Sequence, residues 1–248
     1  FPFHFWLPNV YVGTHPSVAA ILAGALANIG AYGLLRFGGG IFARELEFAA
    51  PVVMTLGVVS LVYGALQAVS RRDATEVLAY SAIGQAGYII LALGAGGPGG
   101  FAAAVVYAVV NSLNKGVLFL TTGLVGSLAG VTFALGAFSV AGIPPFGGYL
   151  GKLSVFRALA DLPPAQSALL IGLVILGSAM SVLYMFQTYQ RRYLAKQPQA
   201  EQPPPAAGPL AYLPVLVLAL LMLLVGLLPE PLLAAAGNAA AAGLGAMP

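Results

Sequence analysis

Apolar runs of about twenty residues, each closed by a short charged or glycine-rich stretch, repeat along the whole chain. That length is what an α-helix needs to cross a hydrocarbon core, and the pattern predicts an all-α, polytopic transmembrane bundle. The first span is expected over about Pro16 to Phe37, after His15-Pro16 and before Gly38-Gly39-Gly40. Arg44, Glu45 and Glu47 mark a loop, and a second span follows over Phe48 to Ser70, closed by Arg71-Arg72-Asp73. Asp73, with Glu76 three residues on, has the spacing of a helix cap, so a third span starts there and runs to about Leu93. Gly and Pro punctuate the GAGGPGG stretch, and a fourth span follows over Phe101 to Val125.

The run Val131 to Ala160 differs from the others. At about 1.5 Å per residue it is too long for one straight crossing of a roughly 30 Å core. Pro144-Pro145 and Gly147-Gly148 break it, so it is either one discontinuous helix or two short ones, interrupted near 144–148. Broken helices are tolerated in a bilayer where the freed backbone is buried or lines a watery cavity. Spans over Ala165 to Gln190 and Leu210 to Leu228 complete the pattern. A polar, proline-rich linker at 191–209 separates them, and a short Gly-rich tail after Leu228 is not assigned as a span. The expected total is seven or eight spans in a single integral domain, 1–248. The positive-inside rule does not orient it. Counting the broken run as one crossing or two moves Arg191, Arg192 and Lys196 to opposite sides.

Composition agrees with the pattern. The 248 residues are 60% hydrophobic and only 7% charged, against about 25% charged in soluble domains. The net charge of +3 sits mostly between apolar runs, as loop charge does, so nucleic acid is not an expected partner. There is no cysteine, which excludes disulfides and thiolate sites. No pair of histidines or carboxylates has metal-ligand spacing, and no cofactor is expected. The chain opens FPFHFWLP, which reads as the end of an apolar segment in a longer protein.

Three lysines occur in the chain, and two, Lys115 and Lys152, lie in apolar surroundings. An ammonium at the bilayer centre costs roughly 2.5 to 3.5 kcal/mol on insertion scales, so such a residue marks a functional site by default. Tyr107, Asn111 and Lys115 are four residues apart and stack on one helix face, with Asn114 beside Asn111. Such a stripe can hold a file of water, as a proton relay requires, and it should face the bundle interior. Burial disfavours the charged form of an amine, so a buried lysine can exchange its proton where an exposed one cannot. The plainer reading is a structural lysine paired with backbone carbonyls or another subunit. For Lys152, snorkelling from the start of the broken helix is the plainer reading. Asn28, Gln67 and Gln85 read first as interhelical hydrogen bonds. His4 and His15 read as interfacial or structural.

Four stretches resemble a known family. FPFHFWLPNVYVGTHPSVAAILAGALANIGAYGLLRF resembles the part of antiporter-like membrane subunits where a His-x-Trp-Leu-Pro motif precedes a broken helix. RRDATEVLAYSAIGQAGYIILALG, NSLNKGVLFL and GIPPFGGYLGKLSVFRAL resemble, in order, their charged loop, the helix with a buried lysine, and the later broken helix with its own lysine. The family includes large subunits of Mrp-type cation/proton antiporters and proton-pumping subunits of respiratory NADH:quinone oxidoreductase. With YMFQTYQRRY included, the match is most similar to the D-type subunits of the antiporters.

The resemblance implies two inverted repeats, each with a discontinuous helix. Residues 1–75 would end the first repeat, 76–190 would form the second, and 210–248 would hold the closing helix and tail. It also implies a proton path through Lys115, Lys152, Asn111, Tyr107, Asn114 and Asn28. Asn28 stands where many members carry a lysine, Thr75 where respiratory members often do, and Tyr107 and Asn111 where several have histidines. The expected function is that of a proton-conducting transporter subunit in the cell membrane, not an enzyme, exchanging protons for a monovalent cation alongside other membrane subunits in a lipid bilayer. The alternatives are a proton-pumping subunit of a respiratory complex or a hydrogenase-related one, and a scaffold that has lost transport.

Overall fold

The computed structural model describes residues 1–194 and 208–244. They form helices without strands. After a short α1 (Trp6–Gly13), α2 (Pro16–Ile21) passes through a π-helical turn at Leu22–Leu26 into α3 (Ala27–Gly38). Then come α4 (Ala43–Ser70), α5 (Ala74–Ala95), α6 (Gly97–Thr122), α7 (Ser127–Ala141), α8 (Gly147–Ala160), α9 (Pro164–Tyr189), α10 (Leu213–Leu227) and α11 (Glu230–Leu244). Among the described residues, six stretches are long and apolar enough to cross a membrane: 16–38, α4, α5, α6, 164–194 and 210–227. The broken run supplies the seventh crossing.

Helix boundaries follow local chemistry. Asp73 caps α5, its carboxylate accepting from Thr75 N at 2.9 Å and Glu76 N at 3.0 Å. Pro98 occupies the first turn of α6, where its fixed φ and missing N–H are tolerated, so that helix starts four residues before Phe101. Arg44, Glu45 and Glu47, expected in a loop, instead lie in the first turns of α4. Glu45 stands at the positive end of that helix, where an acid is favoured. The tail, left without a span, forms α11, whose alanines pack Ala236 and Ala240 into the bundle. Most of the linker at 195–207, with Lys196, and the last residues 245–248 lie outside the described residues.

The run from Ser139 to Lys152 is interrupted as expected. α7 ends at Ala141, Gly142 takes a left-handed conformation at φ 85°, and α8 begins at Gly147. The two halves together make one crossing. Arg191 Nη1 donates to Arg71 O at 2.9 Å and Arg192 Nη2 to Thr122 O at 2.6 Å, so α4, α6 and α9 all end on the same side. Asp161, just after α8, lies beside Gly99 at the opposite end. The segment 16–38 is different. It stays helical and widens by a π turn instead of breaking. Gly24 packs against the backbone of α6 at Ser112 and Gly116, and the Asn28 amide donates to Gly24 O at 3.0 Å, satisfying a carbonyl within the widened turn.

α5 lies at the centre of the bundle, flanked by α4, α6 and α9. Its contact with α4 is backbone to backbone: added β-carbons at Gly57, Gly64 or Gly87 would all fall within 2.7 Å of the facing helix's backbone. Small residues allow such close approach where lipid offers no hydrophobic drive.

Candidate functional site

On α6, Tyr107, Asn111, Asn114 and Lys115 all face inward. Asn111 is 1% exposed and Lys115 7%. Both amide atoms of Asn111 and the amide oxygen of Asn114 are buried without a hydrogen-bond partner. Unpartnered polar atoms are rare in protein interiors and mark places where water, an ion or a functional demand has to be considered. Lys115 lines a cavity of about 480 Å³ whose wall also carries Asn28, His4 and Ser60.

Lys152 sits at the break. It is 5% exposed, and its ammonium donates to Ala141 O at 3.0 Å and to Ser181 Oγ at 3.1 Å. Ala141 is the last residue of α7, so a positive charge meets the negative end of a half-helix. The ammonium also lies over the Tyr88 ring, 5.6 Å from its centroid. Lys152 is thus held inside the bundle and does not snorkel to the interface.

Beside Lys152 stand two stacked rings. Tyr88 and Tyr107 are 4.9 Å apart and 8° from parallel. Tyr107 packs on α8 at Gly151, where a β-carbon would come within 3.1 Å of the ring. The Tyr107 hydroxyl donates to Gln85 Oε1, and Tyr88 Oη bonds Ser178 Oγ at 3.2 Å. The six residues expected on the path therefore fall into three places. Tyr107, Asn111, Asn114 and Lys115 share one face of α6. Lys152, from α8, lies over Tyr88, the ring stacked on Tyr107. Asn28 is half-buried on the wall of the Lys115 cavity and tied to α6 by bonds to Ser112 Oγ and Ala108 O, the interhelical bond its position implies.

Sequence reasoning missed Tyr88, Ser178, Ser181 and Tyr184 as neighbours of this site. The available signal was spacing: Ser81, Gln85 and Tyr88 fall at i, i+4 and i+7 on α5, and Ser178, Ser181 and Thr188 lie along α9.

Among the described residues, a bundle of apolar spans with one discontinuous helix and two buried lysines, one of them at the break, defines a polytopic membrane protein. Residues 1–130 match the family described as NADH:quinone oxidoreductase/Mrp antiporter, TM, and the chain belongs to that family. It is accordingly a multi-pass protein of the cell membrane. It is 30% identical over 213 residues to the D-type subunit of the Na(+)/H(+) antiporter of Alkalihalophilus pseudofirmus, covering 77% of this chain and 43% of that protein. It is 28% identical to a NAD(P)H-quinone oxidoreductase chain 4 of Synechococcus, covering 79% and 41%. The chain thus spans about two fifths of the length of these curated relatives. A chain of the Mrp complex from Dietzia superposes with a TM-score of 0.87 at 25% identity, over 98% of this chain and 56% of that one. A chain of respiratory complex I from Thermus thermophilus shares the fold, with a TM-score of 0.84 at 21% identity over 100% and 56%.

Proposed function

We propose that the chain is a proton-conducting membrane subunit of a multisubunit monovalent cation/proton antiporter. The observation that carries this reading is the burial of Lys115 and Lys152 together with the polar face of α6, where Asn111 is unpartnered and Tyr107 stacks on the Tyr88 ring that lies under Lys152. Lys115 and Lys152 take up and release the proton. Asn111, Asn114 and Tyr107 bind the water that carries it, and Asn28 holds the cavity wall. The subunit works beside other membrane subunits, with residues 1–75 closing a first repeat and 76–190 forming a second. The likeness to a D-type antiporter subunit and to the Dietzia Mrp chain supports this reading.

A second reading is a proton-pumping subunit of a quinone oxidoreductase, favoured by the likeness to chain 4 proteins. Neighbouring genes separate the two: small antiporter subunits in one case, redox subunits with Cys-rich cluster motifs in the other.

The test is Lys115→Ala in the intact complex, assayed for pH-gradient-coupled exchange in inverted vesicles with subunit abundance checked by blot. Exchange should be abolished or strongly reduced at normal abundance, because no other ionisable group on α6 lies within a turn of that position. Lys115→Arg should fail too, since a guanidinium does not release its proton. Full exchange in the alanine variant removes Lys115 from the path.

A further inference from the structure

The polar face of α6 and the Tyr107–Tyr88–Lys152 cluster account for one line of polar groups. A second line leaves it sideways. Gln85 accepts from the Tyr107 hydroxyl and, through Nε2, donates to Tyr184 Oη at 3.4 Å. Tyr184 Oη in turn bonds Ser81 Oγ at 2.8 Å, and either atom can donate. All three residues are buried, none more than 4% exposed. The line runs toward the bundle end where Arg191 meets Arg71. Ser81 lies seven residues into α5 from that end, about 10 Å at the rise of a helix.

Transfer between Lys115 and Lys152 does not require this line. Helix association does not require it in this form either, since a simple tie between α5 and α9 needs one donor and one acceptor. Here Gln85 is shared by tyrosines from two different helices, and Tyr184 is shared by two residues of α5. Gln85 accepts one hydrogen bond and donates another, and Tyr184 makes two, while Ser81 ends the line with one. Burying such groups costs free energy that apolar side chains of the same volume would not.

We propose that Gln85, Tyr184 and Ser81 form a proton arm connecting the lysine region to the arginine-bearing end of the bundle, with Tyr184 as its central carrier. The proposal rests on reading Lys115 and Lys152 as proton carriers. In one shift along the arm, Tyr107 passes its proton to Gln85 Oε1, Nε2 passes one to the Tyr184 oxygen, and Tyr184 passes its own to Ser81. The original Ser81 proton leaves through water reaching inward from the arginine end, and Tyr107 is reprotonated from the lysine side. One proton enters and one leaves. Gln85 is left as its imidic tautomer, which returns to the amide when a water molecule gives a proton to Nε2 and takes the one on Oε1.

The experiment uses the intact complex in inverted vesicles, with Lys152→Ala as the reference for a blocked path. Tyr184→Phe keeps the ring and removes the hydroxyl. It should lower the maximal rate about tenfold or more, given what a positioned proton-transfer group contributes, with the apparent KM for the cation unchanged and the solvent deuterium isotope effect increased. A purely structural hydroxyl would leave the isotope effect where it was. If Tyr184→Phe does not accumulate, Ser81→Ala decides: it should lose most of the rate, and Ser81→Thr, which restores a hydroxyl, should recover transport relative to it. A wild-type rate in either deletion variant, at full abundance and with Lys152→Ala inactive, overturns the arm and leaves the lysine path standing. A wild-type rate in Lys152→Ala overturns that lysine's role and the arm with it.

Discussion

The Lys152 ammonium donates to the carbonyl oxygen of Ala141 at 3.0 Å, so a side chain of α8 satisfies the exposed carbonyl end of α7 across the break. The charge is therefore part of the joint between two half-helices as well as a candidate carrier. Lys152→Met keeps the length of the side chain and removes the charge. It should abolish exchange while the subunit still assembles, because loss of the bond to Ala141 is offset by loss of a costly buried charge. Exchange in inverted vesicles and subunit abundance on a blot check both halves of this expectation.

The break depends on two glycines in different ways. A β-carbon at Gly148 would collide with Ser139 O, a backbone atom that cannot swing aside. At Gly142 the φ of 85° is unfavourable for other residues, but the nearest atom is the flexible Lys152 Cδ at 2.7 Å. Gly148→Ala should therefore destabilise by about 3 kcal/mol or more, and Gly142→Ala by about 1–2 kcal/mol. Thermal unfolding of the purified complex in detergent ranks the two.

Close packing of α4 on α5 predicts a contrast between glycines. Gly64→Val would drive its first added carbon into the Gly84 backbone, and should prevent accumulation of the protein. Gly172→Ala, on α9 with nothing within 4 Å, should be neutral or stabilise by up to about 1 kcal/mol, the cost of glycine inside a helix. Expression level and melting midpoint distinguish these outcomes.

Asn28 and Ser112 should show a measurable coupling. Their side chains bond directly between α3 and α6, and interhelical bonds in membranes average about 0.6 kcal/mol in double-mutant cycles. Asn28→Ala, Ser112→Ala and the double variant, compared by unfolding free energy, should give a coupling of that order. A value near zero would show that the bond contributes nothing to the fold.

Much of this architecture is legible in the pattern of apolar runs. The spans, the Asp73 cap and the break before Lys152 follow from hydrophobic length, side-chain chemistry and the Pro144-Pro145, Gly147-Gly148 sequence. The inward face of α6 follows from four-residue spacing. What the pattern does not carry is partnership between distant helices. Ser181 meets Lys152, and Tyr184 meets Ser81, across roughly 30 and 100 residues of chain, and serine and tyrosine are ordinary enough in membrane helices to pass unnoticed. The π turn at Leu22–Leu26 leaves no composition signal either, because it arises from how Gly24 and Asn28 meet α6. α11 is missed because its 15 residues are short for a crossing and interrupted by glycine, although alanine is the best helix former.

The glycine contact between α4 and α5 has a consequence for motion. Backbones that touch without intervening side chains have no rotamers to exchange, so neither helix can slide or rotate against the other without collision. During turnover these two helices should travel as one strut. Any rearrangement that alternately opens the lysines to the two sides then falls to the parts hinged by Gly142 and by the π turn, which move against a fixed pillar.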